Sequence, residues 1–91
     1  MPVAQGQSRT AESFYVGIRE GCMRACALLK QPPLKCDTFC VCQRAEIRSR
    51  VSDAEIVRWN QASAQPSIET APFRGRIEEA VRVCKARHGV P

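Results

Sequence analysis

An all-α fold is predicted by three features of this sequence. Apolar residues recur every three or four positions in four segments, no segment keeps a period of two, and prolines stand between the segments or at their starts. The chain of 91 residues is a single domain with six cysteines and five large aromatic anchors, Phe14, Tyr15, Phe39, Trp59 and Phe73. A domain of that size buries only about 60–65% of the surface its unfolded chain exposes. The core is therefore expected to be thin, with cross-links supplying what packing lacks.

Residues 1–9 are polar and aperiodic and read as a flexible N-terminal tail. Thr10 offers an N-cap to a first helix over about 11–30, where Ala11, Phe14, Ile18, Cys22, Ala25, Cys26 and Leu29 recur at helical spacing. Gly17 and Gly21 lie inside it, each costing up to about 1 kcal/mol against alanine, and mark a face where another helix is expected to come close. Pro32 and Pro33 end it. The second helix, about 36–50, places Cys36, Phe39, Cys40, Ile47 and Val51 roughly on one side, with Cys42 pointing elsewhere.

Ser52 and Glu55 in "SDAE" fit a capping box that opens a short third helix, about 53–62, anchored by Ile56 and Trp59. "SAQPS" reads as a polar linker. Thr70 and Pro72 open a last helix, about 71–88, whose apolar stripe is Phe73, Ile77, Ala80, Val81 and Cys84 and whose C-terminal cap is Gly89. The helical domain thus spans 10–89. No internal repeat appears beyond a pair of CxxxC motifs.

Those motifs organise the fold. Cys22 and Cys26 lie one turn apart on helix one, as do Cys36 and Cys40 on helix two, so each pair shares a helical face. In an antiparallel hairpin, facing positions have a constant sum of indices, and 22 with 40 matches 26 with 36. Both bridges can form together as rungs. The other pairing would need parallel helices, which the nine residues between Cys26 and Cys36 cannot connect. Cys42 and Cys84 remain, and a third bridge would tie helix two to the last helix.

Two further uses of the cysteines are open. A zinc site would draw on Cys36, Cys40, Cys42 or Cys84 with His88, but the two-residue gap usual in structural zinc motifs does not occur. His88 at the end of the last helix also suits the helix dipole. A redox or copper(I) site would rest on "CVC", with Arg44 as a neighbouring cation. It would make the chain a metal-handling or thiol-redox protein using Cys40, Cys42 and Cys84.

The consecutive "CMRAC" and "CDTFC" motifs resemble the disulfide-linked helical-hairpin proteins with twin CxxxC or CxxxxxxxxxC motifs, which include small chaperones of the mitochondrial intermembrane space. The resemblance covers about residues 14–48. It implies two inter-helix disulfides among Cys22, Cys40, Cys26 and Cys36, and only those cross-links are carried over.

An even cysteine count in so short a chain argues for an oxidising compartment. The start "MPVAQGQSRT" lacks the basic-then-apolar order of a signal peptide. The two agree if the chain is a mature form whose signal was removed and replaced by Met1. No apolar run approaches the roughly 18 residues of a membrane span. A periplasmic or secreted location is expected, with the mitochondrial intermembrane space as the alternative.

The net charge of +5 favours acidic partners. Arg44 and Arg48, four apart on helix two, read either as a contact site for an acidic partner or as a solvated face, and Trp59 either as a half-buried core residue, like Tyr15, or as a partner anchor. Arg24, Lys30 and Lys35 cluster around the hairpin turn, whereas the cations of the last helix are interleaved with Glu78 and Glu79. A nucleic-acid or anionic-surface binder using Arg44, Arg48 and Arg50 is a further alternative, though no recognition motif or stacking aromatics accompany them. With one histidine at the chain end, no catalytic constellation stands out and no cofactor is expected. The function predicted is therefore non-enzymatic, a disulfide-rich helical module that binds an acidic protein partner.

Overall fold

Prolines and left-handed residues set the helix ends. The computed structural model describes residues 3–62 and 71–91, with side chains over 11–60 and 72–91. It contains α1 (Val3–Leu28), α2 (Pro33–Arg50), α3 (Asp53–Ala62) and α4 (Ala71–His88), with no strand among the described residues. Pro33 is the first residue of α2, where its fixed φ suits the helix and its missing amide leaves nothing unpaired.

α1 closes at Lys30, whose φ is 60°. The Gln31 amide donates to the Cys26 carbonyl at 3.4 Å, the long bond of a Schellman turn. α4 closes the same way: Gly89 takes a φ of 66° and the Val90 amide reaches the Lys85 carbonyl at 3.0 Å. Gly89 is thus the C-terminal cap its position suggests.

α3 opens with the capping box. The Glu55 amide donates to Ser52 Oγ at 3.1 Å, and the Ser52 amide donates to Glu55 Oε1 at 2.9 Å. That backbone bond, followed by Arg76 from α4, holds the Glu55 carboxyl below the usual carboxylate range. One side chain therefore caps α3 and fastens α4 to it.

Three expectations need correction. α1 begins at Val3, so it takes in most of the stretch read as a tail and runs through Thr10, which is not an N-cap. After Pro2 the segment has no further proline, and Ala4, Gln5, Gln7 and Arg9 offset the cost of Gly6 and Ser8, so a helix held by packing beyond it can propagate through it. Gly17 and Gly21 do not mark a close helix approach: both are exposed, and a Cβ on either would meet nothing within 4 Å. Ala25 and Leu29 of the expected α1 stripe are exposed, while Tyr15 is buried. The expected linker and Thr70 lie outside the described residues.

α2 packs against both α1 and α4, and α3 packs on α1. At 1.5 Å per residue, the 26 residues of α1 span about 39 Å, so this one helix sets the longest dimension of the molecule, 42 Å. The core falls into two clusters along α2. One is rich in sulfur: all six cysteines with Phe39 and Val90, against which Met23 and Val81 pack. The other joins Ala11, Tyr15, Ile47, Val51, Ile56, Phe73 and Ala80, with Phe14, Ile18, Trp59 and Ile77 at its edge.

The disulfides are Cys22–Cys40, Cys26–Cys36 and Cys42–Cys84, with Cα separations of 5.8, 5.7 and 5.9 Å. No free cysteine remains. The first two are the antiparallel rungs, centred on Gln31 in the turn. Cys42 follows Cys40 by two positions, about 200° around a helix, which turns it from α1 towards α4. On the chain-entropy model, the two rungs would contribute about 3 kcal/mol each and the longer loop closed by Cys42–Cys84 about 4 kcal/mol, less where loops are nested.

Replacing Cys42→Ala together with Cys84→Ala should lower the unfolding free energy by about 2–4 kcal/mol in urea titration of the oxidised protein; an unchanged midpoint would refute a structural role for the third bridge. Gly17→Ala with Gly21→Ala should raise it, by up to about 1 kcal/mol per site, because helix propensity improves with nothing to clash. A destabilised double variant would mean that these positions do need glycine.

Candidate interaction groove

The groove is built from two helical faces. On α1, Glu12, Tyr15, Val16, Arg19, Glu20, Met23 and Arg24 recur at spacings of three and four, so they project to one side. On α2, Arg44 and Arg48 stand one turn apart and face them. Between these walls lies an open groove of about 830 Å³. It is within the size range of ligand sites, and its location follows from the rungs that set the spacing of α1 and α2.

Its lining mixes apolar and charged side chains on α1 and is cationic along the α2 wall. Tyr15, Val16 and Met23 supply the apolar contacts, Val16 being 57% exposed. Arg48 lies over the Tyr15 ring, 4.6 Å from its centroid, a cation–π contact that positions the guanidinium at the groove edge. Burial pushes the Tyr15 phenol above its ordinary value, against the opposing pull of Arg48 and Arg44. The Tyr15 hydroxyl is buried and has no hydrogen-bond partner among the described residues.

The cations of the groove differ in what answers them. Arg19 pairs with Asp37 of α2 at 2.7 Å, an exposed bridge between the walls. Arg24, Arg44 and Arg48 have no carboxylate within 4 Å among the described residues. Glu12 and Glu20 lie on the α1 wall only. The α2 side is therefore an array of arginines without acid partners, beside apolar side chains.

Other residues singled out in the sequence lie elsewhere. Arg50 is two positions, about 200°, beyond Arg48. It pairs with Glu46, whose carboxylate also meets Arg87 at 3.4 Å. The hydrogen bond from Arg50 and the charge of Arg87 hold the Glu46 carboxyl below the usual range. Arg87 also donates to Cys42 Sγ at 3.5 Å, so this network lies over the third bridge. Arg50 consequently shares no face with Arg44 and Arg48. Trp59 stacks on Phe73 with centroids 5.3 Å apart and meets Phe14 edge-on at 6.0 Å, so it is held in the aromatic cluster and does not line the groove.

The sulfurs of Cys40, Cys42 and Cys84 are all bonded in disulfides, which leaves none of them as a thiolate donor in this oxidised form. His88 is the last residue of α4. Sequence reasoning singled out the Arg44–Arg48 pair of the α2 wall and placed Arg24 only at the hairpin turn, without the α1 wall. The available signal was the recurrence of Glu12, Val16, Arg19, Glu20 and Met23 at helical spacing on a face that flanks the cysteine stripe of α1.

Tyr15→Phe should keep the ring beneath Arg48 while removing a buried hydroxyl that lacks a protein partner. Thermal and urea unfolding should show stability unchanged or raised by up to about 1 kcal/mol. A loss larger than about 1 kcal/mol would expose a hydrogen bond to this hydroxyl. No family model, curated protein or solved structure matches the chain.

Proposed function

We propose that the protein is a non-enzymatic interaction module of an oxidising compartment, the periplasm or the extracellular space, whose groove receives an acidic segment of a partner protein. The observation that carries this reading is the α2 wall: Arg44 and Arg48, one turn apart and without carboxylate partners among the described residues, beside Tyr15, Val16 and Met23. An amphipathic helix with glutamates at the same spacing would meet both arginines and lay its apolar side on Val16 and Met23. Its carboxylates would form partly desolvated charged hydrogen bonds, stronger than those between neutral groups.

Three disulfides and the lack of a helix long and apolar enough to cross a membrane among the described residues are compatible with that compartment. The twin-CxxxC resemblance suits the same role, a stapled hairpin as a rigid platform. A rigid groove spares the ordering entropy that a flexible one would lose on binding.

The test uses the oxidised full-length protein and a fluorescein-labelled helical peptide of glutamate and leucine, about three turns long. Fluorescence anisotropy should show binding that weakens with salt, and Arg44→Gln with Arg48→Gln should weaken it about tenfold. Equal affinity in the double variant, or no binding by the natural sequence at low salt, would refute the proposal.

A further inference from the structure

At the end of the hairpin, away from the groove, large apolar side chains face water. Leu28 is 77% exposed, Leu34 78% and Leu29 43%, in a chain whose core has few large apolar side chains to draw on. Exposed Pro32 and Pro33 lie between them. Single exposed leucines need no explanation, but three at one turn, together with two prolines, form a patch.

Three properties of this tip define what it fits. From Cys22 to Cys36 the sequence contains no acidic residue and three cations, Arg24, Lys30 and Lys35. Arg24 and Lys30 are exposed; Lys35 is half-buried beside Gly89. The first acid beyond the tip, Asp37, is neutralised by Arg19. The surface is thus apolar with a cationic rim, complementary to an apolar layer with an anionic border.

The backbone donors of the turn itself are paired. The Leu29, Lys30 and Gln31 amides donate to the Ala25, Ala27 and Cys26 carbonyls, and Gln31 Nε2 donates to the Leu29 carbonyl at 3.2 Å. Pro32 and Pro33 have no amide. Residues 29–33 therefore carry no unmet backbone donor, while the Leu34 and Lys35 amides at the uncapped start of α2 keep the insertion shallow, at the level of the headgroups. Finally, the Cys26–Cys36 bridge pins the turn at its base.

We propose that the hairpin tip is a wedge for anionic bilayers: Leu28, Leu29 and Leu34 enter the boundary between headgroups and acyl chains while Lys30 and Arg24 meet lipid phosphates. This combination of buried apolar side chains and cationic attraction is how non-spanning elements hold to a membrane surface. The wedge shares only Arg24 with the acidic-segment groove, which none of Leu28, Leu29, Leu34 and Lys30 lines, so either can fail alone.

Flotation of the oxidised protein with vesicles tests it, using phosphatidylglycerol mixed into phosphatidylcholine against phosphatidylcholine alone. Binding to the mixed vesicles should exceed binding to the neutral ones by about tenfold or more. Leu28→Ser with Leu34→Ser should reduce it about tenfold with an unchanged helical melting curve, since both side chains are solvent-exposed. Arg44→Gln with Arg48→Gln should bind the mixed vesicles within about twofold of the natural sequence.

The proposal is overturned if the leucine variant floats like the natural sequence, which would leave diffuse charge as the cause. It is equally overturned if the groove variant loses binding as far as the leucine variant, if soluble glycerol phosphate displaces the protein from the vesicles, or if the natural sequence floats with neither vesicle.

Discussion

The two-residue offset between Cys40 and Cys42 is the constraint on which the rest of the structure depends. Two positions turn a helix by about 200°, so neighbouring sulfurs on α2 leave it in nearly opposite directions, one to α1 and the other to α4. α2 thereby becomes the shared wall of two helix pairs. The sulfur cluster fills the core at just the point where a chain with five large aromatics has least to offer. Four of the five aromatic residues gather at the other end, where Phe14, Trp59 and Phe73 pack in stacked and edge-on contacts. Sulfur and aromatic rings divide the core between them, and α2 reaches both parts through Phe39 and Ile47.

Charge is distributed along the same division. On the side of α2 that faces α4, Glu46 is shared by Arg50 and Arg87, and Arg76 joins Glu55 to the Arg50 carbonyl. Exposed pairs contribute little to stability individually, but these link three helices and fix how α4 lies against the others. On the α1 side, Arg24, Arg44 and Arg48 have no such acids among the described residues. The cations that serve the fold and those left available for recognition thus occupy opposite sides of one helix. A count of net charge cannot separate them, whereas the roughly 200° between Arg48 and Arg50 does.

Much of the fold was legible because its determinants are local or periodic. The capping box needs only Ser52 and Glu55, the cap needs only Gly89, and the rungs follow from a sum of indices that any antiparallel hairpin obeys. What was not legible depended on distant surroundings. Gly17 and Gly21 look the same in sequence whether or not a helix approaches them, and only the open space beside them decides it. The start of α1 was hidden because a polar segment without an apolar stripe carries no periodic signal, although a helix packed beyond it can extend through such residues. Trp59 reads in sequence as a half-buried core residue or as a partner anchor, because its contacts come from distant segments; Phe14 and Phe73, from two other helices, pack on it. The groove was half legible for a related reason: the arginine pair on α2 is conspicuous, whereas the mixed face of α1 becomes a wall only once α2 lies opposite.

The same cross-links that support the core set the geometry of both proposed surfaces. The Cys22–Cys40 rung stands close along α1 to Met23 and Arg24 of the groove, and Cys26–Cys36 lies at the base of the leucine tip. A thin hydrophobic core alone would let α1 and α2 slide or splay, because few large side chains interlock between them, and the arginine wall would lose its register with Val16 and Met23. Two rungs one turn apart remove both freedoms, since a single bridge permits rotation about itself and a pair does not. Binding at either proposed surface would therefore depend on the redox state of the surroundings without any cysteine touching a ligand. The thiols act as the framework, and the side chains one or two positions away from them form the surface that the framework holds in place.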